Sequence, residues 1–278
     1  MNGLIQRAIT GIIFVLVVTG CIYAGPVSFV ALFAVITGGA LWEFFGLVLT
    51  KQHRRDMIRR MLALGLGLVP FFMSTIVQLQ LVPNREAFIA ISSLLFFPFT
   101  FSVFIYELYT KSERPFENVA FVMLGMVYIG VPFALLLFVA FDSGLYYPNL
   151  VFALLVMNWV NDSGAYFVGS KFGKTPLFPR ISPKKTWEGS AGGMIFTLVF
   201  GMILYYTFQE LDLRDWLVLA AIVVIFGSLG DLVESMLKRS VQIKDSGGLL
   251  PGHGGLLDRF DAFIFLLPFA TAYLLWIR

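Results

Sequence analysis

Between Ser235 and Asp261 the chain reads SMLKRSVQIKDSGGLLPGHGGLLDRFD, with four basic residues, three aspartates, one histidine and five glycines set between two apolar segments. Charged residues make up only 13% of the chain, so a polar run this dense at the edge of a hydrophobic segment needs a chemical reason. Aspartate oxygens hold hard cations such as Mg²⁺. Lysine and arginine neutralise phosphates. Glycine lets backbone N–H groups approach an anion closely. Together they predict a metal-bound phosphate compound handled at a membrane surface.

Within this run, Asp258 and Asp261 are three residues apart at the start of an apolar span. N-terminal capping of a helix competes with metal binding for one of them. Asp258 borders the glycine-rich turn and is the better ligand, with Asp261 seconding it. His253 is flanked by glycines, and phosphate contact and proton transfer both stay open for it. No GxxxxGK[ST] loop is present.

Three earlier segments carry the same kind of signal. Asn158, Asn161 and Asp162 recur at helical spacing and share one face. Polar groups at bilayer depth are costly unless they face the protein interior. Interhelical hydrogen bonding explains the asparagines; the carboxylate of Asp162 costs more and points to function. Lys184 and Lys185 are adjacent in SPKKTWEG, where the ordinary role of lysines is to set topology. Glu188 there suits a helix N-terminus as well as it suits catalysis. Asp231, Glu234 and Lys238 fall on one helical face. Glu234 and Lys238 make a plain i,i+4 pair. Asp231 lies a turn or two inside the membrane edge, where bound metal offsets the cost of burying a carboxylate, so it ranks above Glu234.

These residues need elements to position them. The chain is 58% hydrophobic, with a mean hydropathy of +0.84. A soluble domain has about 45–50% apolar residues, so a water-soluble fold is excluded. A spanning helix needs about 20 apolar residues, and the pattern predicts about nine: 8–24, 27–49, 61–82, 87–106, 119–141, 149–169, 189–208, 216–237 and 260–277. The expected fold is an all-α, polytopic integral membrane protein. Long apolar runs exclude the alternating strands of a β-barrel. With the N-terminus inside, 17 of the 20 Lys and Arg fall in cytoplasmic segments and 3 outside. The positive-inside rule then sets the N-terminus in and the C-terminus out.

The two halves differ. Residues 1–149 read as a transmembrane scaffold, with a role in dimer or lipid contacts, and residues 150–278 as the catalytic region. In the first half Glu43 is the one clear ionisable group within a span, either functional or a helix-end group. KQHRRDMIRR at 51–60 reads as a basic loop facing anionic headgroups, and His53 needs no special role. Arg7, an apolar stretch and Cys21 imitate a lipoprotein signal; the plainer reading of Cys21 is a small buried apolar residue. It is the single cysteine, so no intrachain disulfide or cysteine zinc cluster can form. Internal repeats and matched broken helices are absent, which argues against an inverted-repeat transporter. Gly189 and Gly193 form a GxxxG that predicts close helix packing.

The order and spacing of Ser235, Lys238, Arg239, Lys244, Asp245, Pro251, His253, Gly254, Gly255, Asp258, Arg259 and Asp261 resemble the signature of the phosphatidate cytidylyltransferases, or CDP-diacylglycerol synthases. DSGAYFVGSKFGK, from Asp162, and SPKKTWEG resemble two further blocks of that family. The resemblance covers roughly 158–261. It implies transfer of a cytidylyl group from CTP to phosphatidate, giving CDP-diacylglycerol and pyrophosphate, at a bacterial plasma membrane with the site facing the cytoplasm. It implies Mg²⁺ held by Asp231 and Asp258 with Asp162 and Asp261, and room for a second cation. Asp231, Asp258, Lys238, Arg239, Lys244, His253 and Arg259 are the expected catalytic set. Ser182, Lys184, Lys185, Thr186, Asp162 and Asp245 are expected to bind substrate. The expected partners are CTP, phosphatidate, membrane lipids and, as an option, a second copy in a homodimer, with no nucleic acid. Two other functions explain part of the pattern: a CTP-dependent lipid kinase such as a polyprenol kinase, and a cation transporter. The transporter leaves SPKKTWEG and the glycine-rich basic run without a purpose.

Overall fold

The computed structural model describes residues 3–49, 55–243, 246–247 and 254–278. Among these, the apolar runs form nine helices: α1 (Gly3–Tyr23), α2 (Pro26–Val48), α3 (Arg55–Gln78), α4 (Arg85–Thr110), α5 (Pro115–Ala140), α6 (Pro148–Phe172), α7 (Trp187–Thr207), α8 (Leu213–Ser240) and α9 (Leu257–Ile277). Two short hairpins join them, β1 (Phe141–Asp142) with β2 (Leu145–Tyr146) and β3 (Pro176–Phe178) with β4 (Ser182–Thr186). Eight of the helices are long and apolar enough to cross a membrane. The chain is an integral membrane protein.

Local chemistry sets the ends. Proline opens α2, α5 and α6, where its missing N–H costs nothing and its φ suits the first turn. Asn84 caps α4, its side chain accepting from Ala87 N at 2.9 Å. Pro70, Pro98 and Pro268 lie inside helices, as bilayer-spanning helices tolerate. On α4 the apolar residues Leu94, Leu95, Phe97 and Phe101 are all exposed, a surface made for acyl chains.

Chain contacts divide the molecule into two units: residues 1–146 with 245–258, and residues 147–244 with 259–278. The sequence reading divides an expected scaffold from an expected catalytic region at 149/150, whereas this division follows packing. In the first unit α3 packs against α2, α4 and α5. The sequence reading of 51–60 as a basic loop needs correction over 55–60; residues 51–54, with His53, lie outside the described residues. Residues 55–60 are the opening turns of α3, because Arg and Met continue a helix well. Arg59 is buried and pairs with Glu107 of α4, to which Asn118 of α5 also donates at 3.1 Å. It ties three helices together instead of facing headgroups. Arg60 lies over the Trp42 ring, 3.7 Å from its centroid, and donates to the Trp42 carbonyl.

In the second unit α6 and α7 pack closely where Gly169 meets Gly189. Small residues at these positions let helix backbones approach, as the GxxxG predicts. α8 carries a π-helical segment at Val223–Gly227, just before the turn that presents Asp231. Such segments reset helical register and recur at functional sites. Three residues past it, at Gly230, α8 crosses α9. A Cβ on Gly230 would stand 2.6 Å from the Cβ of Phe265 and 2.9 Å from the Asp261 carbonyl. Only glycine brings the Asp231 and Asp261 turns this near each other.

Candidate active site

The chemistry-bearing residues of the second unit converge on one end of α6, α7 and α8. A cavity of about 410 Å³ there is lined by Asp162 and Asn161 of α6, Lys184, Lys185 and Thr186 of β4, Ser190 of α7, and Ser228 and Asp231 of α8. The β3–β4 hairpin presents the two lysines. Glu188 holds that hairpin in place, accepting from Lys174 N at 3.1 Å and from the Thr175 hydroxyl at 2.9 Å. It is therefore a staple between the loop and the start of α7. Thr186 caps α7 by accepting from Gly189 N at 3.1 Å, so one of its lone pairs is committed to the helix and not to a ligand. Ser182 sits at the far end of β4, paired with Phe178, and does not line the cavity.

The electrostatics of the cavity are opposed in sign. Lys185 Nζ meets Asp231 Oδ2 at 2.5 Å, with both side chains about one-third exposed. Asp162 is repelled by Asp231 and attracted by Lys185 and Arg259. Asp261 is repelled by Asp231 and Asp162 and attracted by Lys238. Three carboxylates thus share a neighbourhood with three cationic side chains. Lys238 pairs with the fully buried Glu234, the i,i+4 partnership expected from sequence. Arg239 is exposed, its Nη1 donating to the Ile243 carbonyl at 3.4 Å.

The asparagines serve helix packing. Asn161 Nδ2 donates to Ser228 Oγ at 3.4 Å. The side-chain carbonyls of Asn158 and Asn161 are buried with no hydrogen-bond donor among the described residues. A Cβ on Gly227 or Gly193 would strike them at 2.8 and 2.6 Å respectively.

Asp258 belongs to the first unit. Its Oδ2 accepts from Ser246 N at 2.9 Å, Ser246 Oγ at 2.9 Å and Gly255 N at 2.8 Å. It organises the described ends of the glycine-rich segment. Lys244, Asp245 and His253 lie outside the described residues.

Among the described residues no three His, Cys, Asp or Glu side chains gather closely enough to hold a metal by themselves. The donor set still fits Mg²⁺. This ion commonly takes one or two carboxylates and completes its shell with waters and substrate phosphates. Asp162 and Asp231 line one cavity and repel each other, a repulsion that a divalent cation relieves. Sequence reasoning passed over Ser190 and Ser228 as cavity lining. Asp215, one residue before the 216–237 span read from the sequence, is in the first turn of α8 and accepts from the Tyr273 hydroxyl at 2.6 Å.

The profile of the cytidylyltransferase family matches residues 5–277. A Bacillus subtilis (strain 168) protein named phosphatidate cytidylyltransferase is 36% identical over 265 residues, 95% of each chain. Proteins of the same name from Staphylococcus haemolyticus and Staphylococcus aureus (strain COL) are 41% and 39% identical over 178 residues, covering 63% of this chain and 66% of theirs.

Proposed function

We infer the chemistry of this site from one premise: the chain belongs to the cytidylyltransferase family. The reaction is transfer of the cytidylyl group of CTP to phosphatidate, giving CDP-diacylglycerol and pyrophosphate. The names of the relatives favour neither a lipid kinase nor a transporter. A phosphate oxygen of the lipid attacks the α-phosphorus of CTP. The bond from that phosphorus to the bridging oxygen breaks, and pyrophosphate carries the electron pair away. Both reactants are anions, so charge neutralisation and alignment account for most of the barrier.

The observation that carries the assignment of this chemistry to the cavity is its lining by two lysines and two aspartates, with Lys185 paired to Asp231. Lys184 and Lys185 bind and orient the CTP phosphates. Lys185 exchanges its contact with Asp231 for a phosphate as the nucleotide arrives. Arg259 adds counter-charge. Asp162 and Asp231 would hold Mg²⁺, and the resemblance to the family signature gives Asp258 a cation-holding role as well. When bound, Mg²⁺ neutralises phosphate oxygens and the charge that develops on the departing pyrophosphate. No side-chain nucleophile is required, since the lipid phosphate is one already.

The membrane is the bacterial plasma membrane, with the 170–188 and 238–259 segments in the cytoplasm where CTP is found. The test is lipid product formed by purified protein in detergent from CTP and phosphatidate, with and without EDTA. Product that vanishes on chelation and returns with Mg²⁺ is expected. Undiminished turnover after full chelation contradicts the cation, and no turnover with any phosphatidate contradicts the reaction.

A further inference from the structure

Glu43 lies in the scaffold half of the chain, and the reaction described above gives it no part. It is nonetheless a buried carboxylate near the end of α2. Its Oε2 accepts from Leu257 N at 2.9 Å, across 214 residues of sequence, and from Ser246 Oγ at 3.4 Å. Leu257 is the first residue of α9, and its N–H is one of the donors that a helix start leaves unsatisfied. The residue before it, Leu256, has no polar side chain with which to cap that end. Glu43 supplies the missing acceptor from another helix, and its negative charge suits the positive end of the α9 dipole.

The fit around Glu43 is close on every side. One turn earlier on α2, a Cβ at Gly39 would collide with the Leu256 side chain. Cβ atoms at Gly247 and Gly255 would each collide with the Glu43 carboxylate. Two backbones therefore approach a carboxylate at positions where no side chain has room. Glu43 Oε1 is buried with no hydrogen-bond donor among the described residues. Arg60, held over Trp42, provides an attractive charge. Ser246 is shared: its hydroxyl lies 3.4 Å from Glu43 Oε2 and 2.9 Å from Asp258 Oδ2. The Ser246 amide and the Gly255 amide complete the link to Asp258.

We propose that Glu43 is a positioning residue: through Leu257 N and Ser246 it fixes the first turn of α9 and the ends of the glycine-rich segment, and thereby holds Asp258 in its working orientation. The consequence for catalysis rests on the reading of Asp258 as a cation ligand. The fixing of the segment does not.

Amide hydrogen exchange of the full-length protein in detergent reads the fixing directly. In Glu43→Ala, exchange at Gly255 and Leu257 accelerates about tenfold, the scale of one lost charge-assisted hydrogen bond, while α6 and α7 keep wild-type protection. Glu43→Gln keeps an acceptor oxygen and shows a smaller acceleration at the same amides. In a parallel assay, the Mg²⁺ concentration for half-maximal turnover rises in the order wild type, Glu43→Gln, Glu43→Ala, with the KM for CTP at saturating Mg²⁺ little changed. Wild-type exchange at Gly255 and Leu257 in Glu43→Ala overturns the proposal. Should Glu43→Ala not fold, wild-type exchange in Glu43→Gln overturns it, and acceleration there supports it. Asp258→Asn runs alongside. Unchanged Mg²⁺ dependence in that variant removes Asp258 from the cation, while the exchange data on Glu43 variants still decide what Glu43 does.

Discussion

Two groups of acidic residues, one in each unit, live by different rules. In the second unit Asp162, Asp231 and Asp261 repel one another and are balanced by lysine and arginine side chains. In the first unit Glu107 is locked by Arg59 and Asn118, and Glu43 accepts from a backbone amide and a serine. A carboxylate held by fixed donors maintains a shape. Carboxylates that crowd one another around a cavity are poised to exchange partners when a cation and a phosphate arrive. The contrast teaches that charge alone does not mark the chemistry in this membrane protein. What marks it is whether the charge has already been satisfied by groups that cannot move.

The contrast breaks most sharply at Asp231. Asp231→Asn keeps the shape and removes the charge, and should lower turnover by several orders of magnitude, at about 1.4 kcal/mol of transition-state stabilisation per tenfold. Its melting temperature should stay near wild type, because a repulsion is removed along with the Lys185 pair. Initial rates at saturating Mg²⁺ and a thermal melt check both halves. Turnover near wild type would place Asp231 among the structural acids. Glu107→Ala should do the reverse. It removes the carboxylate that pairs with the buried Arg59, and breaking one partner of a buried pair costs about 3–5 kcal/mol. The expected result is a much lower melting temperature, with the surviving folded protein turning over normally; a wild-type melt would mean that Arg59 finds another partner.

Lys185 sharpens the comparison from the cationic side. Lys185→Met should raise the KM for CTP and lower kcat by roughly 10–100-fold, the loss of one charged phosphate contact of about 1.5–3 kcal/mol. A variant with unchanged KM and kcat would leave Lys185 as a plain partner of Asp231. The smallest effect is expected at Asp212, which precedes α8 and makes no side-chain capping bond. Asp212→Asn should keep turnover within about twofold, as exposed substitutions away from special features usually stay within about 0.5 kcal/mol. A large loss there would mean that acids outside the cavity carry chemistry.

Much of this architecture is legible in the chain. Apolar runs of bilayer length have one physical solution, so the helices fall close to the predicted spans. They overrun those spans where polar residues remain good helix formers, as at Arg59 and Arg60. Lys185, Asp162 and Asp231 were legible as candidates because charge inside or beside an apolar segment is costly. Their convergence on one cavity is not legible, since it depends on how α6 and α7 pack at Gly169 and Gly189 and on the π-helical segment at Val223–Gly227, and neither leaves a periodic signal. Thr186 illustrates a competition: a hydroxyl beside two lysines suits phosphate, but three residues ahead of Gly189 N it also suits a cap. The Glu43–Leu257 contact joins segments so distant in sequence that local pattern carries no trace of it.

The central claim is that the crowded acids of the second unit form the cation site. Calorimetric titration of Mg²⁺ into the detergent-solubilised protein, in the presence of a non-hydrolysable CTP analogue, tests it most directly. Wild-type protein should bind Mg²⁺, and Asp231→Asn should bind it at least about tenfold more weakly, a difference of about 1.4 kcal/mol. Equal Mg²⁺ affinity in the two proteins would contradict the account.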